Sequence, residues 1–285
     1  MILTARMPSP SRSAIRSRHS TKPRTMIFER IVCGVDGSPA GFEALRQATR
    51  LRSDAARILA VTVCESHQSA RTGAAAGRLA SELRERASAT RDEAWEQIRE
   101  VPLADARVVE GRTVPALLEA LDREAATLVA VGTHGGGHIA GMLLGSVATA
   151  MLQQAPCSVL VARGSDDTAW SPGSIVIGMD GSREALVSAV IAAELGDRFG
   201  ATVRTIAAQG GPRVDRPMLR EIDELHWVPG HPVGALVDAS READLIIVGS
   251  RGLRAFEALG SVSERVAHQA HCSVLVVRPE KTEEA

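Results

Sequence analysis

The chain has 285 residues, 45% of them hydrophobic and 24% charged, with a formal net charge of −1, which is the size and balance of a globular protein of about two domains. The even charge balance and an aromatic content of only 2%, with no Tyr, exclude a nucleic-acid surface built from a cationic groove and stacked rings. No apolar run reaches the ~18 residues of a membrane span, and Cys33, Cys64, Cys157 and Cys272 sit in apolar runs without C-x-x-C spacing, as buried hydrophobes in a reducing, cytoplasmic compartment do.

Residues 1–25 carry six Arg or Lys and no acid. They lack the apolar segment of a secretory signal. Their composition resembles an organelle transit peptide, yet Met26-Ile-Phe-Glu-Arg-Ile-Val32 reads as a fresh start just before a strand. The segment is therefore expected to be a disordered basic extension or to precede the true start codon. From Met26 onward, short β-branched runs alternate with stretches of helical period, which predicts parallel strands joined by right-handed helical crossovers. Strands are expected near 31–35, 57–63, 106–109, 127–131 and 157–162, with the clearest helix over 78–99. A polar stretch over 164–173, rich in turn formers, reads as a linker. Strands follow near 174–178, 202–207, 225–228, 244–248 and 272–277, and 280–285 reads as a tail.

The two sets of strands belong to two copies of one unit. Ile31-Val-Cys-Gly-Val-Asp-Gly-Ser38 matches Ile175-Val-Ile-Gly-Met-Asp-Gly-Ser182, and Val131-Gly-Thr-His-Gly135 matches Val248-Gly-Ser-Arg-Gly252. Leu144-Gly-Ser-Val147 matches Leu259-Gly-Ser-Val262, and Ala155-Pro-Cys-Ser-Val-Leu-Val-Ala-Arg163 matches Ala270-His-Cys-Ser-Val-Leu-Val-Val-Arg278. Repeats this long are whole domains, so domains are expected over 26–163 and 174–279. The second copy is the shorter because its second helix is cut down. The expected fold is α/β: two tandem open twisted sheets of five mainly parallel strands, helices on both faces, Rossmann-like.

Gly132 and Gly135 follow a buried strand directly. Glycine there is expected to take positive φ and turn backbone N–H groups toward an anion. Gly145-Ser146 then opens an amphipathic helix, whose free N–H groups, dipole and serine hydroxyl meet where a di- or triphosphate would sit. Asp36 ends the first strand at the same carboxyl edge, in reach of a ribose or adenine. The competing reading, that the glycines only cap strands and let the helix pack closely, suits one isolated G-x-x-G better than four matched elements in order.

The pattern G-x-x-G, nine residues, G-S, met by Gly132, Gly135, Gly145 and Ser146, resembles the ATP-binding motif of the universal stress protein family. The opening Val-Asp-Gly-Ser and the closing Pro-Cys-Ser-Val-Leu-Val are similar to that family as well, and the likeness runs from about Met26 to Arg278. The resemblance implies an adenine-nucleotide α-hydrolase-like fold that binds ATP, with Mg2+ accompanying it. Asp36 and Val63 would hold the adenosine, beside Gly34 and Val35. Gly135, Gly145, Ser146 and Val147 would hold the phosphates, with Val131, Gly132, His134 and Ala148 around them. The second copy departs from the pattern: seven residues separate Gly252 from Gly260, and Ala208 stands where the first copy has Val63. Its corresponding set is Gly178, Met179, Asp180, Ala208, Gly249, Arg251, Gly252, Gly260, Ser261, Val262 and Ser263. Arg251 either adds a charged phosphate contact or is a solvated loop residue.

Other chemistries fit less well. His134 and His138 have the spacing of a helical zinc pair, but three glycines lie between them. His134-Gly-Gly-Gly137 is similar to an esterase oxyanion loop, yet there is no G-x-S-x-G. No Walker A lysine is present. In place of the S-G-G-x-D-S of adenylating pyrophosphatases the chain reads Gly34-Val-Asp-Gly-Ser38. The expectation is thus a nucleotide-dependent sensor of the stress response with at most slow ATP hydrolysis. The alternatives are a nucleotide-independent interaction module and an ATP-using enzyme of the α-hydrolase superfamily. The resemblance further implies that the two domains pair through their last strands, Cys157 to Val161 and Cys272 to Val277. A protein partner and a homodimer of the whole chain are compatible with it, and nucleic acid and membrane are not expected.

Overall fold

The computed structural model describes residues 28–66, 74–134, 144–164, 170–210, 225–250 and 262–279. The first copy of the repeat forms β1 (Phe28–Gly34), α1 (Pro39–Leu51), β2 (Arg52–Cys64), α2 (Ala74–Ile98), β3 (Ala104–Glu110), α3 (Thr113–Arg123), β4 (Leu128–Gly132), α4 (Ser146–Gln154) and β5 (Ser158–Ala162). The second forms β6 (Ser174–Gly178), α5 (Arg183–Phe199), β7 (Thr202–Ala208), β8 (Leu225–Val228), α6 (Pro232–Ala239), β9 (Leu245–Gly249), α7 (Val262–Gln269) and β10 (Ser273–Val277).

The two sheets of five strands expected from the repeat are joined into a single ten-stranded sheet, in the order β3-β2-β1-β4-β5-β10-β9-β6-β7-β8. Every pairing is parallel except the central one, where β5 and β10 run antiparallel with Leu160 opposite Leu275. The fold is α/β, and its strands are apolar on both faces, as parallel strands covered by helices must be. Ile31 and Cys33 point to a core shared with α1, α2 and α5. Val32 points to the opposite core, shared with α3, α4, α6 and α7. Both cores run across the β5–β10 joint, taking Leu160 with Leu275 on one face and Val159 with Val274 on the other.

The joint is closed by a reciprocal exchange between the matched ends of the repeat. Arg163 donates its backbone N–H to Ser273 Oγ at 3.0 Å, and Arg278 donates its own to Ser158 Oγ at 3.0 Å. The Arg163 guanidinium donates to the Ala267 carbonyl at 2.7 Å and the Cys272 carbonyl at 3.2 Å, at the C-terminal end of α7. Arg278 does the same at the end of α4, bonding the Leu152, Ala155 and Cys157 carbonyls. Each arginine thus places its charge at the negative end of the other half's last helix. Burial pulls both arginines below the ordinary pKa of the group.

Two details differ from the sequence expectation. β2 starts at Arg52, directly after α1, although Arg52 to Arg57 lacks apolar alternation; its start is set by pairing, Phe28 with Arg52 and Arg30 with Arg57. The region read as a polar linker holds Trp170, which is 4% exposed and packed in the core shared with Ile175. The shortened helix expected between β7 and β8 falls on residues outside those described. All four cysteines are free and buried. Burial pushes the Cys157 thiol up to about 11 and that of Cys272 up to about 12.

Candidate functional site

Because β1, β2 and β4 run parallel, the loops that follow them lie on one edge of the first half. A cleft of about 210 Å3 opens there. It is lined by Gly34, Val35 and Asp36 after β1, by Val63 at the end of β2, by Val131, Gly132 and His134 at the end of β4, and by Gly145, Ser146 and Val147 at the start of α4. Of the twelve residues singled out from the first copy, ten line it. Ala148 is 1% exposed and packs into the core beneath α4. Gly135 lies outside the described residues.

At the β1 end, Asp36 folds over the start of α1. Its Oδ1 accepts the Ser38 N–H at 3.0 Å and the Ser38 hydroxyl at 2.5 Å, while Ser38 Oγ accepts the Gly41 N–H at 3.1 Å and so caps the helix. Gly41 makes room for this arrangement, because a Cβ there would stand 2.7 Å from Asp36 Oδ1. The His134 carbonyl lies 3.4 Å from the same Ser38 hydroxyl, which brings the ends of β1 and β4 together. The Val35 N–H is taken by the Val61 carbonyl at 2.9 Å.

At the β4 end, the Gly145 N–H donates to the Thr133 carbonyl at 2.7 Å, returning the chain to the sheet edge just before α4. Gly145 is the N-cap residue of α4, with φ −64° and ψ 160°, and no side chain caps this helix. Its neighbours differ. α1 is capped by Ser38, and the first N–H of α3, that of Thr113, is taken by Glu65 Oε1 at 2.9 Å. Among the described residues the first amide groups of α4 therefore have no side-chain acceptor of the kind the neighbouring helices have, and Ser146 and Val147 line the cleft. Beside them, His134 Nε2 is shielded from solvent and has no hydrogen-bond partner among the described residues.

Gly132 does not take the positive φ expected of it. It is glycine because α1 crosses the end of β4 closely: a Cβ would lie 2.5 Å from Ala40 C and 2.6 Å from Ala40 O. Gly249 does the same in the second half, against Glu184 C at 2.7 Å and Ala185 N at 2.8 Å. The first glycine of each G-x-x-G is thus a packing glycine, the plainer of the two readings.

In the second half, Asp180 Oδ1 accepts the Ser182 N–H at 2.9 Å, Ser182 caps α5 through the Ala185 N–H at 3.2 Å, and the Met179 N–H is taken by the Ile206 carbonyl at 2.8 Å. The slot above Gly178 is tighter than the one above Gly34. A Cβ on Gly178 would meet Leu236 Cδ1 at 2.9 Å and Val248 Cγ1 at 3.0 Å, whereas on Gly34 it would meet Leu117 Cδ1 at 3.3 Å and Val131 Cγ1 at 3.5 Å. Ala208 ends β7, and Val262 and Ser263 begin α7. Arg251, Gly252, Gly260 and Ser261 lie outside the described residues.

The structure adds Thr113, Leu117, Val61, Thr133 and Gly41 to the cleft lining, and Glu65 behind Thr113. Only Ser38-Pro39 carried a local sign of its role, a capping serine before a proline at N1. Among the described residues there is no group of three His, Cys, Asp or Glu placed to hold a metal ion, and no helix long and apolar enough to cross a membrane.

A duplicated, mostly parallel α/β unit with a cleft at its carboxyl edge is a Rossmann-like architecture, and that edge is where open α/β sheets commonly hold ligands. The universal stress protein family model matches residues 27–163 and 213–278, and the chain belongs to that family. A universal stress protein of Mycobacterium tuberculosis is 28% identical over 211 residues, 64% of this chain and 70% of the relative. One of Mycobacterium bovis is 28% identical over 303 residues, 87% of this chain and 94% of the relative. The crystal structure of a universal stress protein from Archaeoglobus fulgidus shares the fold with a TM-score of 0.68 at 19% identity, covering 88% of this chain and 97% of its own.

Proposed function

We propose that the first half binds ATP and that the protein serves as a nucleotide-dependent sensor of the stress response, with hydrolysis slow or absent. The observation that carries this reading is the start of α4, where a glycine N-cap leaves the first amide groups without a side-chain acceptor at the mouth of a cleft. Those amides and the positive end of the helix dipole suit a phosphate. The Ser146 hydroxyl adds a donor, and His134 Nε2 is a polar atom without a partner among the described residues. At the other end, Asp36 commits Oδ1 to Ser38, leaving Oδ2 as an acceptor for ribose hydroxyls. Val35, Val61, Val63 and Leu117 supply apolar walls for a base.

Mg2+ entering with the triphosphate would neutralise part of its charge. It would sit beside Ser146 at the start of α4, where a hydroxyl is available. Asp36 is the one carboxylate among the described lining residues, and its place at the nucleoside end favours binding over turnover. The tighter slot above Gly178 favours weaker binding in the second half.

The test is a calorimetric titration of the full chain with ATP, beside Ser146→Asp. An aspartate at the first position of α4 would strengthen the helix start while setting a negative charge where the phosphates belong. Like charges in contact cost several kcal/mol, so ATP affinity is expected to fall by at least about a hundredfold with the fold intact. Absence of ATP binding by the unmodified protein, or unchanged binding by the variant, would overturn the reading.

A further inference from the structure

The wall of the cleft formed by β2 and α3 has a chemical polarity of its own. Val61, Val63 and Leu117 are apolar there, and Thr113, the first residue of α3, is the polar side chain among them. Both of its donors are spent on one oxygen: Glu65 Oε1 accepts the Thr113 N–H at 2.9 Å and the Thr113 hydroxyl at 2.6 Å. Those two hydrogen bonds, helped by the charge of Arg112, outweigh burial and hold the Glu65 carboxyl below the usual carboxylate range. Glu65 is therefore ionised at neutral pH and can only accept. A hydroxyl has one proton and two lone pairs. With its proton committed to Glu65, Thr113 Oγ1 is left as an acceptor.

We propose that the Glu65–Thr113 pair selects the base, with Glu65 positioning the Thr113 hydroxyl as an acceptor that takes a 6-amino purine and rejects a 6-oxo purine. The 6-amino group donates a hydrogen bond to Oγ1. A 6-oxo group brings a second acceptor against it, and two acceptors facing each other across this part-buried wall share no proton, so the 6-oxo base forgoes the hydrogen bond that the 6-amino base makes. This rests on the nucleotide reading above and adds to it the residue that distinguishes one base from another.

Titrations of the full chain with ATP and with ITP, which carries a 6-oxo group on an otherwise similar purine, separate the two ideas. The unmodified protein is expected to prefer ATP. Thr113→Val removes the acceptor and keeps the backbone N–H bond to Glu65, so ATP should weaken by about tenfold, the loss of one net hydrogen bond, while ITP is unchanged or tighter. Thr113→Ser should restore the preference. Glu65→Ala releases the hydroxyl proton to the cleft and should raise ITP affinity relative to ATP. If Thr113→Val weakens both nucleotides equally, Thr113 merely supports α3 and the inference fails while the nucleotide reading stands. The same holds if the ATP to ITP ratio does not move. If the unmodified protein binds neither nucleotide, both ideas fall.

Discussion

Replacing Gly132 with alanine tests whether the first glycine of the repeated motif is there for packing. The added Cβ would stand 2.5 Å from Ala40 C, 2.6 Å from Ala40 O and 2.8 Å from Ala40 Cβ. Ordinary carbon contacts lie at about 3.5–4.0 Å, so the start of α1 must retreat from β4 by about 1 Å. That helix buries Ala44, Leu45, Ala48 and Leu51 completely, so the retreat opens a gap along a close-packed interface. Overpacking a core costs about 1–3 kcal/mol, and the upper end applies because the obstacle is backbone. Gly77 serves as the control: it is exposed on α2, and its Cβ would meet nothing within 4 Å. Gly77→Ala should therefore stabilise by about 0.5–1 kcal/mol, the usual gain from removing a helix glycine. Urea unfolding followed by circular dichroism reads both. A Gly132→Ala protein within about 0.5 kcal/mol of the parent would refute the packing account.

Gly249→Ala should behave like Gly132→Ala, since the same Cβ would lie 2.7 Å from Glu184 C; equal stability to the parent by the same urea assay would count against it. Arg163→Met and Arg278→Met each strand several helix-end carbonyls at the joint and should cost about 2–3 kcal/mol, with the double variant more than additive if the two clamps hold one interface. Thiol titration at pH 8 should find Cys157 and Cys272 unreactive in the folded chain, because burial raises them to about 11 and about 12, and fully reactive in denaturant. For Glu65 the folded pKa is depressed. Its contribution is therefore present above the ordinary carboxylate pKa and lost as pH falls through the depressed one, so a Thr113→Val protein should show less acid destabilisation than the parent.

How much of this was legible depended on whether a residue's role is local. The duplicated strand-and-glycine motifs exposed the α/β order and the element positions within a few residues, because apolar runs bounded by glycine are local signals. Gly145-Ser146 announced a helix start for the same reason. The reason for Gly132 was misread, since the sequence shows a glycine after a strand but not that Ala40 crosses it. Thr113 and Glu65 were invisible: they lie 48 positions apart, and nothing in Glu110-Gly-Arg-Thr113 marks a cleft wall. The early start of β2 was hidden because Arg52-Ser-Asp54 carries no strand pattern and is drawn into the sheet by its pairing with β1. The pairing of the two halves through their last strands came from the family resemblance and not from the residues themselves, since register across β5 and β10 is a tertiary fact.

The antiparallel seam at β5 and β10 also bears on the proposed sensor role. Two separate chains joined along such a strand would part on dilution, and a ligand could report its presence by tipping that equilibrium. Here the partner strand is covalently tethered, so its effective concentration is set by the chain and not by the cell. Pairing at the seam is insensitive to expression level. If the cleft holds nucleotide as proposed, its occupancy would be reported by reshaping a surface, because the two halves at this seam cannot part by dilution.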